Sequence, residues 1–346
     1  MSHQRQSVIA AYVRSPIGRF GGGLAQVRPD SLAAHVIQSL VQRTRIDPSV
    51  LDDIILGCAN QAGEDNRNVA RMAALVAGLP LEIPGQTVNR LCGSGLQAVN
   101  AAAHAIWSGQ GEMFIAGGVE SMTRAPIVML KAECGFARGV PEMADTTLGW
   151  RFPHPRLVAD GHTVALGQTA ENVAARRNVS RQEQDEFALL SQQKAARAQS
   201  DGRLAEEIVA VPVPSKTEKG RENTPSLCSQ DEHPRPDTTL AALAKLKPAF
   251  VANGTVTAGN ASGINDGAAA LLVTSAERAQ ALRLEPLARI VSTAVAGVQP
   301  DEMGLGPVPA SRKALERAGL SIQQTDIVEI NEAYASQAIA CLRDLE

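Results

Sequence analysis

The sequence predicts an α/β protein, in which strands and helices alternate along the chain. Three observations support this prediction. Short apolar runs rich in Val and Ile are each followed by a segment with apolar residues at helical spacing. Aromatic residues make up only 3% of the chain, which suits small residues packed tightly between helices and sheet. The order of elements near the start also recurs after residue 281. At 346 residues, the chain is long enough for two or more domains.

The first 122 residues predict four strands that alternate with three helices. The predicted strands are 8–13, 53–57, a short one ending at 87–88, and 113–116. The predicted helices are 32–42, 69–77 and 96–107. The last strand is expected to end at the glycines that follow residue 116.

From residue 123 to 253 the chain is richer in proline, charge and polar turns, and we interpret this stretch as an inserted loop domain. Residues 1–122 and 254–280 are then one half of the protein. From 281 the predicted order restarts with a strand at 288–295, a helix at 311–318 and a strand at 326–330, which indicates a weak internal duplication. The second half, 281–346, is expected to be incomplete.

Charge and cysteine spacing exclude several classes of protein. The net charge is only −3, because positive and negative side chains are nearly equal in number, and this balance argues against nucleic-acid binding. No apolar run is long enough for a membrane span, and residues 1–6 lack the apolar stretch of a signal peptide. The five cysteines are scattered without Cys-x-x-Cys spacing, so we expect no disulfide framework, no zinc site and a cytoplasmic location.

Cys92 is the candidate nucleophile. It follows a predicted strand, is flanked by Gly93, and precedes a predicted helix. The free N–H groups of a helix N-terminus favour a thiolate, the nucleophilic form of cysteine. Gly93 and Gly95 leave room for a substrate to approach the sulfur. The alternative is a buried structural cysteine, the common role of a free thiol.

Four motifs together resemble the thiolases, the acyl-CoA:acetyl-CoA C-acyltransferases. They are NRLCGSG at 89–95, GGVESM at 117–122, GNASG at 259–263 and NEAYA at 331–335. TAENVA at 169–174 and DEHPR at 231–235 add support. The similarity runs from residue 8 to the last residue. Within the family, TTLGWRF at 146–152 and EHPRPD at 232–237 look most like 3-oxoadipyl-CoA thiolases of aromatic degradation.

The resemblance implies a layered αβαβα fold of two similar halves and a reversible Claisen condensation between acyl-CoA and acetyl-CoA. It implies that Cys92 carries the acyl group as a thioester and that Asn331 holds an oxyanion-hole water. It places Ser262 and Leu166 near the pantetheine of coenzyme A and Arg235 near its nucleotide, and it includes Ala258 among the residues that bind coenzyme A. It implies no cofactor or metal, acyl-CoA and CoA as the binding partners, and a homodimer or homotetramer.

Two departures from the family pattern leave alternatives open. The family's Gly-His-Pro histidine and Cys-x-Gly-Gly cysteine would lie beyond Glu346, and Cys341 has a plain helical context that predicts a core residue. Many members also have His-Met-Gly where this chain has Ala165-Leu166-Gly167. The leading hypothesis is a thiolase without its C-terminal segment and nearly inactive as given. The alternatives are a non-catalytic CoA-binding subunit and a decarboxylating ketoacyl synthase.

Overall fold

The structure of the chain, a computed structural model, describes residues 5–214 and 226–346. Tertiary contacts divide the chain into two units. The first unit comprises Met1–Thr147, Gly202–His233 and Ile264–Val291, and the second comprises Leu148–Asp201, Pro234–Gly263 and Ser292–Glu346. The domain boundaries predicted at 122, 253 and 280 stay a prediction. The 11 residues between 214 and 226, part of the predicted loop domain, lie outside the described residues.

The strands of the described chain all belong to the first unit. They are β1 (Ser7–Arg14), β2 (Gly18–Arg19), β3 (Asp53–Gly57), β4 (Gly85–Val88), β5 (Met113–Ser121), β6 (Ile127–Met129), β7 (Met143–Asp145), β8 (Val211–Val213), β9 (Ser226–Cys228), β10 (Asn265–Ser275) and β11 (Ala288–Ile290).

The helices are shared between the two units. They are α1 (Pro29–Thr44), α2 (Val69–Val76), α3 (Ser94–Trp107), α4 (Pro155–Ala159), α5 (Leu166–Arg176), α6 (Arg181–Ser200), α7 (Leu240–Leu243), α8 (Ala276–Ala281), α9 (Pro307–Ala318) and α10 (Ala335–Leu345). Helices α1, α2, α3 and α8 lie in the first unit.

One mixed sheet organises the first unit. Its strand order is β11-β1-β10-β5-β3-β4, and β2 pairs with β10. The pairs β3–β4 and β3–β5 are parallel, whereas β10 pairs antiparallel with both β1 and β5. Strands β6 and β7, and strands β8 and β9, form two separate two-stranded ribbons.

Side chains of successive residues in the central strands point to opposite faces of this sheet, because side chains alternate along a strand. Ile54 and Leu56 of β3 pack in the core beneath α1 and α2. Ile55, between them, packs on the other face with Ala98 and Ile106 of α3. Helices therefore cover both faces, which is why β3 is a continuous apolar run instead of an alternating one.

Three predicted elements differ from the structure. The strand predicted at 288–295 is only the three-residue β11, Ala288–Ile290. Strand β5 continues through Gly117–Ser121, beyond its predicted end at residue 116. A Cβ at Gly117 would overlap with the Ala269 carbonyl of β10, so the glycine permits the close pairing of these two strands. The predicted strand at 326–330 is wrong: Ile327 is 82% exposed, and within the described chain this segment pairs with no strand.

The second unit is helical in the described residues and has its own core. Val173 of α5, Val308 of α9 and Cys341 of α10 are buried together with Leu305. Cys341 is completely buried and donates from Sγ to the Gly304 carbonyl at 3.2 Å, so its predicted place in the core is confirmed.

Candidate active site

The turn that carries Cys92 joins β4 to α3. Strand β4 ends at Val88, and α3 begins at Ser94 with Gly93 as its N-cap residue. Cys92 is exposed, as a nucleophile must be. Leu91, directly before it, has φ of +49°, which is unusual for a bulky L-residue. Backbone strain of this kind clusters at functional sites, and it turns the chain sharply before the helix starts.

Ser94 holds this turn closed from the helix side. Its buried hydroxyl accepts from the Arg90 N–H at 2.8 Å and donates to the Leu91 carbonyl at 2.6 Å. The Ser94 N–H donates to the same carbonyl at 2.9 Å. Within residues 5–214 and 226–346, the Cys92 N–H donates to no acceptor. That N–H is therefore free to bind an oxyanion that forms beside the Cys92 sulfur.

Glycines bring the start of α3 unusually close to the sheet. A Cβ at Gly57, the last residue of β3, would lie 2.5 Å from the Gly95 nitrogen, closer than any real Cβ contact. A Cβ at Gly118 of β5 would lie 2.9 Å from the Gly57 carbonyl oxygen. The glycines at 57, 95 and 118 thus pack against one another beneath the Cys92 turn. A side chain at position 57 would push this turn away from the sheet.

The environments of the other cysteines separate them from Cys92. Burial, together with the nearby Glu120 carboxylate, raises the pKa of the Cys58 thiol to about 12. Burial also raises the thiol pKa of Cys228 and Cys341. Cys134 is exposed, but it lies in a loop and not at a helix start. Cys92 is thus the cysteine that combines exposure with a helix N-terminus.

The second unit brings two of the four sequence motifs together. The Ser262 N–H donates to the Ala333 carbonyl at 2.9 Å, and the Ala335 N–H donates to the Asn260 carbonyl at 2.9 Å. The segment that contains Asn331 is therefore paired with the segment that contains Ser262. Both of these predicted site residues are exposed, so their side chains are available to a ligand.

Leu166, Ala258 and Arg235 are also exposed residues of the second unit. Leu166 is the first residue of α5, and a Cβ on the next residue, Gly167, would overlap with the Phe250 ring. That ring meets Tyr334 edge to face, with centroids 6.0 Å apart. The Arg235 backbone N–H donates to the Gln192 side chain of α6 at 2.7 Å. The Arg235 guanidinium therefore extends from a fixed backbone.

Sequence reasoning missed a buried carboxylate that organises this loop. Glu171 of α5 accepts from the backbone N–H groups of Thr255 and Val256 at 2.8 to 2.9 Å and from the Thr255 hydroxyl at 3.0 Å. Asn260 ties the same loop to Asp185 of α6 at 3.0 Å. The motif at 169–174 contained the signal, but its partner lies 84 residues away, so the sequence alone did not reveal the contact.

No helix in residues 5–214 or 226–346 combines the length and apolar character needed to cross a bilayer.

Comparisons with known proteins agree with this arrangement. The thiolase N-terminal domain model matches residues 7–277, and the thiolase C-terminal domain model matches residues 284–346. The chain is 57% identical over 342 residues to 3-oxoadipyl-CoA/3-oxo-5,6-dehydrosuberyl-CoA thiolase of Escherichia coli K12, covering 99% of this chain and 84% of the relative. It is 56% identical to β-ketoadipyl-CoA thiolase of Pseudomonas aeruginosa, with the same coverage.

A solved structure gives the same result for the fold. The crystal structure of the Bacillus anthracis acetyl-CoA acetyltransferase superposes with a TM-score of 0.90 at 42% sequence identity, covering 99% of this chain and 84% of that chain. The predicted α/β fold class and the predicted family are therefore confirmed. Together, the two matching domain models and the identity over nearly the whole chain show that this protein belongs to the thiolase family of acyltransferases.

Proposed function

We propose that this thiolase cleaves a 3-ketoacyl-CoA whose acyl chain ends in a carboxylate, such as 3-oxoadipyl-CoA, with Cys92 as the nucleophile. The observation that carries the proposal is an exposed Cys92 before α3, in a chain 51–57% identical to relatives named for that substrate. The acyl chain assignment comes from those relatives. The nucleophile assignment comes from the geometry of the turn.

The proposed reaction has two steps. The Cys92 thiolate attacks the C3 keto carbon of the substrate, the C2–C3 bond breaks, and acetyl-CoA leaves as an enolate that takes up a proton at C2. The thiol of a free CoA then attacks the acyl-Cys92 thioester. The bond between the acyl group and the Cys92 sulfur breaks, an acyl-CoA two carbons shorter is released, and the proton of the CoA thiol passes to the Cys92 sulfur. The free Cys92 N–H stabilises the oxyanion of the tetrahedral intermediates.

Residues of the second unit are proposed to bind CoA and water. Ser262 and Leu166 are assigned to the pantetheine, Arg235 to the nucleotide, and Ala258 to the CoA site without a finer assignment. Asn331 is assigned to a water molecule that stabilises an oxyanion. Exposure of all five residues, and the pairing of the Ser262 and Asn331 segments, support these assignments.

We also propose a homodimer or homotetramer, and the expected absence of a cofactor or metal stays a prediction. The cytoplasmic location inferred from cysteine usage likewise stays a prediction.

Mass spectrometry of the protein after incubation with 3-oxoadipyl-CoA tests the nucleophile and the substrate together. We expect an acyl adduct on Cys92 that disappears when free CoA is added. The Cys92→Ala variant should carry no adduct, and the Cys134→Ala variant should retain it. An adduct on Cys134 would overturn the nucleophile assignment. Acylation by acetoacetyl-CoA that is as fast as acylation by 3-oxoadipyl-CoA would overturn the substrate class.

A further inference from the structure

The motif GGVESM at 117–122 contains an acidic residue, Glu120, that the proposed reaction does not use. Its side chain lies over the turn that follows β3. The carboxylate accepts from the Ala59 N–H at 2.7 Å and from the Asn60 N–H at 3.3 Å. This placement follows from strand register: Gly118 pairs with Gly57, and Glu120 lies on the same face two residues beyond the end of β3.

The turn after β3, which Glu120 holds in place, also contacts the segment that carries Cys92. The Ala59 carbonyl accepts from the Asn89 side-chain amide at 2.9 Å. The other end of that amide, Asn89 Oδ1, accepts from the Leu91 N–H at 2.9 Å. Asn89 therefore fixes the Leu91 N–H on the strand side of the turn, while Ser94 fixes the Leu91 carbonyl on the helix side.

Leu91 needs this support because its left-handed backbone is unfavourable for a branched residue. Without the Asn89 bond, the peptide before Cys92 is free to relax. Relaxation would rotate the Cys92 N–H and Sγ away from their present directions. A misplacement of about 1 Å at a reacting group can cost about a hundredfold in rate.

We propose that Glu120 is a positioning residue for Cys92, acting through the Ala59 turn and Asn89 to hold Leu91 in its left-handed conformation. This inference rests on the proposed role of Cys92. It explains why an acidic residue at the end of β5 lies beside a turn that follows β3. It also explains the role of Asn89: this residue is exposed and does not pack in the core, so its contribution comes from its hydrogen bonds.

Amide hydrogen exchange tests the relay without any enzymatic activity. The Asn89→Ala and Glu120→Ala variants should each speed exchange at the Leu91 amide by about tenfold, as expected when one hydrogen bond is lost. Exchange in β3, β5 and the middle of α3 should be unchanged. Glu120→Gln, which keeps one carbonyl oxygen as acceptor, should have a smaller effect. Unchanged exchange at Leu91 in Glu120→Ala would overturn the relay.

Two reactions of Cys92 test the consequence. Acylation by an acyl-CoA needs the oriented N–H, whereas alkylation by iodoacetamide needs only the thiolate. We expect both alanine variants to lower the acylation rate by about tenfold to a hundredfold and the alkylation rate by less than about threefold. The double variant should be no slower than the worse single variant, because both act on one path.

Glu112→Gln is the matched control: Glu112 directly precedes β5, at the end of the strand opposite Glu120, and the change should alter neither rate. A parallel fall in acylation, alkylation and thermal stability would show that Glu120 is merely structural and would overturn the proposal. Alkylation without acylation in the unmodified protein would contradict the proposed function instead. In that outcome the exchange experiment still decides the relay.

Discussion

At the scale of single residues, the same side chain has different chemistry at different places in this protein. Cys92 is exposed before a helix, whereas Cys58 is buried at the end of β3 beside Glu120 and Asp65. The neutral thiol is the form that a buried site near carboxylates tolerates. Its pKa of about 12 means that Cys58 stays protonated in the folded state well above neutral pH.

This difference predicts an alkaline weakness in the fold. The folded-state pKa of Cys58 lies above the ordinary value of 9.0, so its stabilising contribution is complete below pH 9 and is lost as the pH rises towards 12. Between pH 8 and pH 10.5, the free energy of unfolding should fall more steeply for the unmodified chain than for Cys58→Ala. Urea titrations at several pH values measure this. Cys134→Ala is the control and should follow the unmodified chain.

A second prediction at this scale concerns Gly57. Substitution by alanine should destabilise the protein by about 1–3 kcal/mol, because the added methyl group overpacks the contact with the start of α3. It should also slow alkylation of Cys92, whose turn would be displaced. Gly135→Ala, where a Cβ meets open space, should change neither quantity. Equal unfolding midpoints for the two variants would contradict the close contact.

At the scale of elements, the sequence correctly predicted those strands and helices whose bounds are determined by residues close together in the chain. Strand β3 has the predicted bounds, and the strand–turn–helix around Cys92 is present because periodicity and glycines define it locally. The extension of β5 was not predictable, since the glycines that permit it respond to β10, about 150 residues away. The segment 326–330 has strand-like composition, but a strand requires a paired neighbour.

Glu171 holds the loop that contains Ser262, and replacing Glu171 should loosen that loop. Its carboxylate accepts several hydrogen bonds from the Thr255 and Val256 region, and glutamine would present an NH₂ group to some of these donors. Glu171→Gln should therefore cost about 1–3 kcal/mol and speed hydrogen exchange across residues 254–263. The exposed Glu186→Gln on α6 is the control. A protected loop in Glu171→Gln would show that packing alone holds it.

At the scale of the whole molecule, the family resemblance identified the fold, but the hydrogen bonds that hold the site were not visible in the sequence. Cys92, Ser262 and Asn331 were found through their motifs. Glu120 and Glu171 belong to quoted motifs as well, yet their roles depend on partners about 60 and 84 residues away. Spacing along the chain does not reveal such pairs.

Ligand binding supplies the prediction at this scale. A ligand that binds only the folded state stabilises it, by about 2.7 kcal/mol at a hundredfold excess over Kd. CoA should therefore raise the unfolding midpoint of the protein, and Ser262→Trp should abolish both this effect and the heat of CoA binding in calorimetry. Ser200→Trp, at the exposed end of α6, should bind CoA normally. Unaltered CoA binding by Ser262→Trp would remove Ser262 from the site.

The pairing of β1 with β10 has a consequence for biosynthesis. These neighbours in the sheet are separated by about 250 residues of chain, and β10 also lies between β1 and β5. At ~5–20 residues per second, the ribosome needs roughly 12 to 50 seconds to make β10 after β1 has been made. Throughout that interval the edge of β1 lacks β10, and the edge of β5 lacks it from the time β5 has been made. The nascent chain should therefore need protection by a chaperone, and β10 can join β1 to β5 only after residue 275 has left the ribosome.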